Sequence, residues 1–488
     1  MTKKSEQPKD QKSKSQEGLT IKKGENFSEW YNQVVQKAEL ADYSDVKGFM
    51  VIRPNAYSIW EQIQSYFDQR IKTLGVRNAY FPLLIPESFF KKESEHAKGF
   101  APEVAWISNK DENTTERLAI RPTSETIMYD SYSKWIRSWR DLPLRINQWC
   151  NVVRWETKAT RLFLRTREFL WQEGHCVYET KEECDKETLQ FLEEYRKTCE
   201  EILAIPVLVG RKTEKEKFSG AFYTLSVDGI MPDGKTLQMG TSHNLGQGFA
   251  KSFGISFLDR NEKKSVPWQN SWGISTRLIG AVIMAHGDDH GLVLPPKVAY
   301  NKVVIIPLLF KGKEQEVLKK AKEISNKLEK FNPLLDDRDY NPGRKFGEWE
   351  LKGIPIRVEV GPRDVEKKQV TAVRRDNGKK LEFKESNLIK EIEKTLEEIQ
   401  DSMFKKAKSD FDEKITDVKN IAELNKAISN QKVARAFFCG DSKCEERIKE
   451  QSEGVKSINM PLEKNSKEAK CFSCNKPTKT VCYFGKVY

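Results

Sequence analysis

The sequence predicts an α+β domain, then an α/β domain, then a small α+β domain carrying a metal site. Three features lead to this. Residues 24–295 are dense in Trp, Phe and Pro, and mix helical periodicities with short strands, as a mixed sheet built mainly from hairpins does. From Lys302 the rhythm changes to strands alternating with helices over about 100 residues, which is an α/β pattern. From about Lys405 the chain is highly charged and carries Cys439, Cys444, Cys471 and Cys474. A chain of 488 residues holds about three domains at roughly 150 residues each. The expected segments are a disordered basic tail over 1–20, a first domain over 21–298, a second over 299–404 and a third over 405–488.

The elements follow in order. The tail is Lys, Gln, Ser, Glu and Asp with almost nothing apolar, so it cannot repay the entropy of ordering. Ile59, Ile63, Phe67, Ile71 and Leu74 mark one face of a helix over 57–74, and Gly75 stops it. Residues 79–86 read as an edge strand, because Pro82 and Pro86 exclude a central one. Residues 152–155 and 168–171 read as two strands joined by a basic loop, and 181–203 as an amphipathic helix. In the second domain the strands are 303–306, 334–335, 356–360 and 369–373, with helices over 314–328 and 345–352. No internal repeat is present.

Composition bounds the setting. Hydrophobic residues make up 38%, and the mean hydropathy is −0.67. No run of eighteen apolar residues occurs, so no membrane span is expected. Met1-Thr2-Lys3-Lys4-Ser5-Glu6 lacks the apolar core of a secretory signal, and its acidic neighbours argue against a mitochondrial presequence. Nine cysteines without such a signal point to a reducing compartment, so a cytoplasmic protein is expected. The net charge of +12 leaves two readings open: a polyanionic partner such as nucleic acid, or solvated faces in a lysine-rich proteome.

The chemistry-bearing motifs are Arg154-x-Glu156, Arg165-Thr166-x-x-Phe169 and Gly273-Ile274-Ser275-Thr276-Arg277. Arginine suits phosphate because it stays charged and presents a planar fork of donors. An aromatic ring offers adenine a stacking face. Neither a P-loop nor a dinucleotide-binding glycine motif occurs. Arg154 and Glu156, two apart on a strand, point to one face. A surface salt bridge is the ordinary reading of such a pair, but the same chemistry at Arg165 and Arg277 outweighs it. Cys439-x-x-x-x-Cys444 and Cys471-x-x-Cys474 suit a tetrahedral Zn²⁺ held by four thiolates. The rival is a disulfide pair, disfavoured by the compartment. Most of Cys150, Cys176, Cys184, Cys199 and Cys482 read as packing residues.

Together these motifs resemble those of the class II aminoacyl-tRNA synthetases. Arg121-Pro122-Thr123-Ser124-Glu125, Trp171-Gln172-Glu173-Gly174-His175 and Gly240-Thr241-Ser242-His243-Asn244-Leu245-Gly246-Gln247 narrow the likeness to the prolyl-tRNA synthetases of the archaeal/eukaryotic type, from about Lys22 to Tyr488. The resemblance implies a catalytic domain with an antiparallel sheet and flanking helices, an α/β anticodon-binding domain and a small zinc-binding α+β domain. It implies activation of L-proline by ATP with Mg²⁺, then transfer of the prolyl group to tRNA(Pro). Arg154 would bind the α-phosphate, Phe169 stack on adenine and Arg277 bind the γ-phosphate. Glu156 belongs to the same ATP set, Arg165 and Thr166 would hold adenosine or phosphate, and Gln238 and Thr241 would face ribose and adenine. Ser275 keeps the hydroxyl of the threonine common in relatives.

For proline, a secondary ammonium needs acceptors, which Thr123 and Glu125 supply. By resemblance Trp171, Glu173, His175, Phe218 and His243 surround the ring. The helix ending at Gly75 and the strand near Pro82 resemble the family's dimer-forming motif, which implies a homodimer. The segment 347–355 resembles the anticodon-reading surface, with Glu350 and Lys352 as readers; a helix salt bridge is the competing reading for each. In relatives the carboxylate of the terminal Tyr, here Tyr488, approaches the active site. The interval from Arg154 to Arg277 holds no room for the large editing domain of bacterial-type relatives, so misactivated alanine or cysteine is expected to go uncorrected within the chain. Two rivals stand: a threonyl-specific sister enzyme, opposed by the Thr123–Glu125 and Trp171–His175 segments, and a catalytically dead RNA-binding protein, opposed by the retained arginines.

Overall fold

The computed structural model describes residues 18–94, 103–108, 116–155, 157–463 and 467–488. Of the expected tail, residues 1–17 lie outside the described residues. Residues 18–20 do not continue it: Thr20 donates through its backbone N and its Oγ1 to Gln33 Oε1 (2.9 and 3.1 Å), and Leu19 packs on the main core.

An eight-stranded sheet organises the first domain. Its strands are β1 (Arg77–Asn78), β2 (Leu144–Val153), β3 (Glu168–Tyr178), β4 (Val207–Arg211), β5 (Tyr223–Ile230), β6 (Thr236–Gly246) and β7 (Trp268–Ser275), with Met460–Pro461 from the far end of the chain as the eighth. The order across the sheet is Met460–Pro461, β4, β5, β6, β7, β3, β2, β1. All neighbours are antiparallel except β1 and β2. Among the described residues from 157 to 276, every strand joins this sheet except the small ladder Phe257–Leu258 with Lys264–Ser265.

The strand period of two divides β3. Phe169, Trp171, Glu173 and His175 face an open cleft. Leu170, Cys176 and Tyr178 face a helical layer of α1 (Phe27–Lys37), α2 (Pro54–Thr73) and α4 (Lys181–Lys197), where Trp30, Trp60, Phe67, Phe191, Tyr195 and Trp272 form the core. The Phe191 and Trp272 rings stack at 3.9 Å. Gly174 sits between: a Cβ there would lie 2.1 Å from the Trp272 ring, so only glycine lets β3 and β7 pair at this point. On the cleft side α3 (Glu125–Trp135) closes one end, and α5 (Arg277–His286) follows β7 directly.

Four sequence expectations are corrected. The helix over 57–74 starts earlier, with Pro54 in its first turn; it ends as expected, with Gly75 at φ +77°. Residues 79–86 are not one strand. The chain leaves β1, Phe81 N–H donates to Gln148 Oε1 instead of a ladder, and pairing resumes at Leu84–Pro86 against Leu118–Ile120. β2 ends at Val153, so Arg154 opens the loop rather than lying on the strand. The helix over 181–203 ends at Lys197 and becomes a π turn over Thr198–Ile202.

The second domain is a five-stranded sheet in the order Leu334–Leu335, Val303–Pro307, Ile356–Val360, Gln369–Arg374, Lys380–Lys384. Its first two pairings are parallel and its last two antiparallel. The third domain is a four-stranded sheet of Ile415–Asp417, Val433–Phe437, Val481–Gly485 and Lys456–Ser457. The boundary expected at 404/405 falls inside one unbroken helix, α6 (Leu388–Glu413). It serves two cores: Leu388, Ile392, Leu396, Ile399 and Met403 pack on the second domain, whereas Phe411 packs with Leu208, Ile230, Val433 and Ile458. No helix among the described residues is long and apolar enough to cross a membrane.

Candidate active site

The cleft over the sheet encloses about 650 Å³. It gathers Thr123, Glu125, Arg154, Phe169, Trp171, Glu173, His175, Phe218, Gln238, Thr241, His243, Ser275 and Arg277, residues drawn from six separate stretches of chain. Glu156 lies outside the described residues. Arg165 and Thr166 are absent from the lining: the Thr166 hydroxyl donates to Glu168 O at 2.6 Å and so shapes the loop.

The closed end is acidic and organised by hydrogen bonds. Glu173 is 2% exposed, and both its oxygens are occupied. Ser124 Oγ and Gln148 Nε2 (3.2 Å) donate to Oε1, and Ser124 N (3.3 Å) and His175 Nε2 (3.1 Å) meet Oε2. His175 Nδ1 faces the Tyr129 hydroxyl at 3.0 Å. Burial pushes the Glu173 carboxyl up, but the His175 bond and charge, with Ser124 and Gln148, bring it below its ordinary value. Burial works to lower the His175 pKa, but the Glu173 bond and the charges of Glu125 and Glu173 raise it. Glu173 and His175 therefore form a buried frame with little capacity left for a ligand. Glu125 is also buried, and its carboxylate accepts from the Thr123 hydroxyl. It is the acid with acceptor capacity to spare.

His243 is held neutral. Burial, then repulsion from His175, lowers its pKa to about 3, and Thr224 Oγ1 meets its Nδ1 at 2.9 Å. Its ring lies 4.9 Å from that of Phe218, which makes an apolar wall. Cys150 touches the frame through Glu173 Oε1 (3.4 Å) and Trp171 Nε1 (3.3 Å). Burial and the Glu173 charge push its thiol up to about 12, so it stays protonated.

The other end is basic. Among the described residues the Arg277 guanidinium bonds only carbonyls, Leu164 O through Nε (3.3 Å) and Gln238 O through Nη1 (3.1 Å). Burial, then the charges of Arg154 and Arg165, lower its pKa to about 10. The Arg154 guanidinium bonds Pro122 O at 3.3 Å and lies 5.3 Å from the Phe169 ring and 5.5 Å from that of Trp171. Among the described residues no ion pair neutralises Arg154, Arg165 or Arg277. Arg154 and Arg277 in the cleft, with Arg165 near enough for its charge to act on Arg277, suit a polyanion with oxygens in several places.

Sequence reasoning missed Ser124, Tyr129 and Gln148, which bond the site residues without lining the cleft, and Thr224, which lines it and bonds His243. Ser124 stands inside a quoted motif, and Gln148 shares a strand face with Cys150; neither carries a chemistry that singles it out.

Away from the cleft, Cys439, Cys444, Cys471 and Cys474 bring their sulfurs within 4.8 Å of one another. The Sγ–Sγ separations, 3.9 Å for Cys444–Cys471 and 3.6 Å for Cys439–Cys474, are far beyond a disulfide. They match the spacing around a tetrahedral ion with bonds of about 2.3 Å. The trio Glu125, Glu173 and His175 is also close-set, but both His175 nitrogens are already bonded. Glu350 pairs with Arg357 at 2.7 Å, and Lys352 with Glu348 (2.9 Å) and Glu39 (3.2 Å). Tyr488 pairs back to β6, its N donating to Thr236 O (3.1 Å) and its hydroxyl to Asp233 (2.8 Å); Arg161 of the loop before Arg165 lies 6.0 Å from its ring.

Three family models match consecutive parts of the chain. Residues 106–286 match the tRNA synthetase class II core domain (G, H, P, S and T), 302–395 an anticodon binding domain, and 421–488 the prolyl-tRNA synthetase C-terminal domain. Among curated proteins, the chain is 51% identical over 467 residues to a proline–tRNA ligase of Alkaliphilus oremlandii, covering 95% of this chain and 96% of that protein. It is 50% identical to a proline–tRNA ligase of Ruminiclostridium cellulolyticum, with 95% and 97% covered. It is 49% identical over 478 residues to proline–tRNA ligase 2 of Bacillus cereus, covering 97% of this chain and all of the relative.

Proposed function

The chain belongs to the class II proline–tRNA ligases, and on that premise we propose how its cleft divides the reaction among residues. The observation that carries the proposal is the polarity of one cleft: a buried carboxylate with spare acceptor capacity at one end, and at the other Arg154 and Arg277, which form no ion pair among the described residues, with the charge of Arg165 acting on Arg277 from outside the lining.

Proline enters at the acidic end. Its ammonium donates to Glu125 and Thr123, and its ring lies among Trp171, Phe218 and His243. Glu173 and His175 hold that pocket in shape. ATP occupies the basic end, with Arg154 at the α-phosphate, Arg277 at the γ-phosphate, Arg165 assisting and Phe169 beneath adenine. Gln238, Thr241 and Ser275 line the ribose side; Thr166 acts by shaping the loop, and Glu156 belongs to the same ATP set by its motif. The proline carboxylate attacks the α-phosphorus, the bond to the β-phosphate breaks, and pyrophosphate leaves. The terminal ribose hydroxyl of tRNA(Pro) then attacks the prolyl carbonyl, and AMP leaves. Orientation and charge neutralisation suffice, with no protein nucleophile. Mg²⁺ carried by ATP supplies further neutralisation. Arg154→Ala and Arg277→Ala are each expected to abolish proline-dependent ATP–pyrophosphate exchange with an unchanged circular-dichroism spectrum. Retained exchange would put the ATP site elsewhere, and exchange driven by threonine would move the specificity to a sister enzyme.

The remaining assignments belong to the same reading. The domains are a catalytic domain to about residue 298, an anticodon-binding domain from about 299 and a zinc-binding domain, the last two joined within α6 rather than at 404/405, with Zn²⁺ held structurally by the four thiolates. The likeness to the archaeal/eukaryotic type rests on the sequence motifs alone; the relatives named above are bacterial. The molecule works in the cytoplasm as a homodimer formed through the region of α2 and Pro82. Glu350 and Lys352 read the anticodon after exchanging their present ion-pair partners. No editing activity accompanies synthesis: a pocket shaped for proline rejects the smaller alanine by only about 1–3 kcal/mol. Alanine is expected to support measurable exchange, and purified protein is expected to leave Ala-tRNA(Pro) intact; rapid deacylation would refute this.

A further inference from the structure

We propose that Asn459, in the C-terminal domain, is a positioning residue for the triphosphate end of the cleft, acting through Asp228 and the Gln238 carbonyl on Arg277. The inference rests on the reading of Arg277 as a phosphate-binding residue.

Asp228 is 2% exposed, on β5. Its Oδ2 accepts from Asn459 Nδ2 at 2.8 Å and from Ser226 Oγ at 2.5 Å, and Lys212 Nζ lies 3.2 Å from Oδ1. Lys212 Nζ also donates to Ile458 O at 2.7 Å. Two consecutive residues of the C-terminal domain thus fix both members of a buried ion pair in the catalytic sheet. Asp228 stands opposite Gln238 in the β5–β6 register, and the Gln238 carbonyl is the acceptor for Arg277 Nη1 at 3.1 Å. The register shifts between Gln238 and Gly240, a bulge at the rim of the cleft, where such irregularities re-aim backbone groups. The Asp228 charge also acts on Arg277, opposing the burial and the arginine repulsion that lower its pKa.

The orientation of the Asn459 amide is settled by its surroundings. Nδ2 faces only acceptors: Asp228 Oδ2, Leu208 O at 3.3 Å and Ser226 Oγ at 3.4 Å. Its Oδ1 is buried without a partner. A buried unpaired carbonyl is a standing cost, so the polar contribution of this side chain to the interface is its donor. The same domain grips the start of β6 independently, where Thr236 N donates to Lys486 O at 2.9 Å. β6 carries Gln238, Thr241 and His243, so its placement matters to both substrates, whereas the Asn459–Asp228 link bears on the Arg277 end alone.

The test is Asn459→Ala in the full-length chain, with ATP and proline binding titrated separately and KM taken for each in pyrophosphate exchange. The Kd and KM for ATP are expected to rise about tenfold, as for loss of a hydrogen bond to a charged group, while both constants for proline stay within about twofold. Added to Arg277→Ala, the substitution is expected to weaken ATP binding no further, because it acts through that arginine. Unchanged ATP affinity in Asn459→Ala, or equal losses for ATP and proline, would overturn the inference. Wild-type ATP binding by Arg277→Ala would instead sink the reading beneath it. Should Asn459→Ala fail to fold, Asn459→Ser carries the same measurement.

Discussion

Glu173 and His175 illustrate how a single pair can be catalytically quiet and still decide the pocket. His175 donates to Glu173 through Nε2 whether it is neutral or charged, and the Tyr129 hydroxyl can donate to or accept from Nδ1 accordingly. The charge is nonetheless worth stability over a defined window. A histidine whose pKa is raised by folding stabilises fully below its unfolded value of 6.5, and that contribution is lost as pH climbs through the raised folded value. A carboxyl lowered by folding contributes above its unfolded value of 4.5 and loses that contribution as pH falls through the folded one. The stability difference between the wild type and Glu173→Gln, from urea unfolding, is therefore expected to peak between pH 4.5 and 6.5 and to shrink above it. A flat difference across pH would mean that the two groups carry no net charge interaction. Glu125 behaves differently, because its free acceptor capacity faces the cleft: Glu125→Gln is expected to raise the KM for proline by at least tenfold, as befits loss of a charged hydrogen bond, and to leave the KM for ATP nearly unchanged.

At the level of elements, α6 ties the domains together. Gln400 on this helix donates through Nε2 to Glu201 O (3.0 Å) and Ile202 O (3.3 Å), and accepts from Lys297 N (3.2 Å). The two carbonyls belong to the π turn that ends α4, whose wider coil leaves them without α-helical partners. A second tie joins the domains: Arg375 grips Asp288, two residues beyond α5, through two bonds of 2.6 and 2.7 Å. Gln400→Ala leaves the buried Ile202 carbonyl without this donor and is expected to cost about 1–3 kcal/mol, read as a lower urea midpoint. A midpoint within error of wild type would mean that the π turn finds other partners. The sequence shows the helix over 314–328 and the strand over 303–306 almost to the residue, because their apolar period is unbroken. It does not show the π turn, since nothing in Thr198-Cys199-Glu200-Glu201-Ile202 departs from a helical pattern.

For the whole molecule, the C-terminal domain is bound into the catalytic one by a shared sheet and a buried polar interface, so loss of its metal should be felt beyond the cysteines. One equivalent of zinc per chain is expected by metal analysis. Stripping it, or replacing Cys471 with Ser, should lower the unfolding temperature, since a structural zinc site contributes folding energy directly. Less than half an equivalent in carefully prepared protein would count against the site. Local patterns alone disclosed the order of domains, the helices with unbroken apolar periods, the arginine motifs and the four cysteines, because each depends on spacing within a short stretch of chain. The frame around Glu173, the carbonyl partners of Arg277 and the union of Met460–Pro461 with β4 emerged from folding, because each joins residues far apart in the chain. Arg154 shows the division most clearly. Its charge and its motif were legible, but its departure from the strand and its place over the Phe169 ring depend on how β2, β3 and the loop between them pack. Composition reports which chemistries are available; distance and desolvation, which only the assembled chain fixes, decide which of them meet.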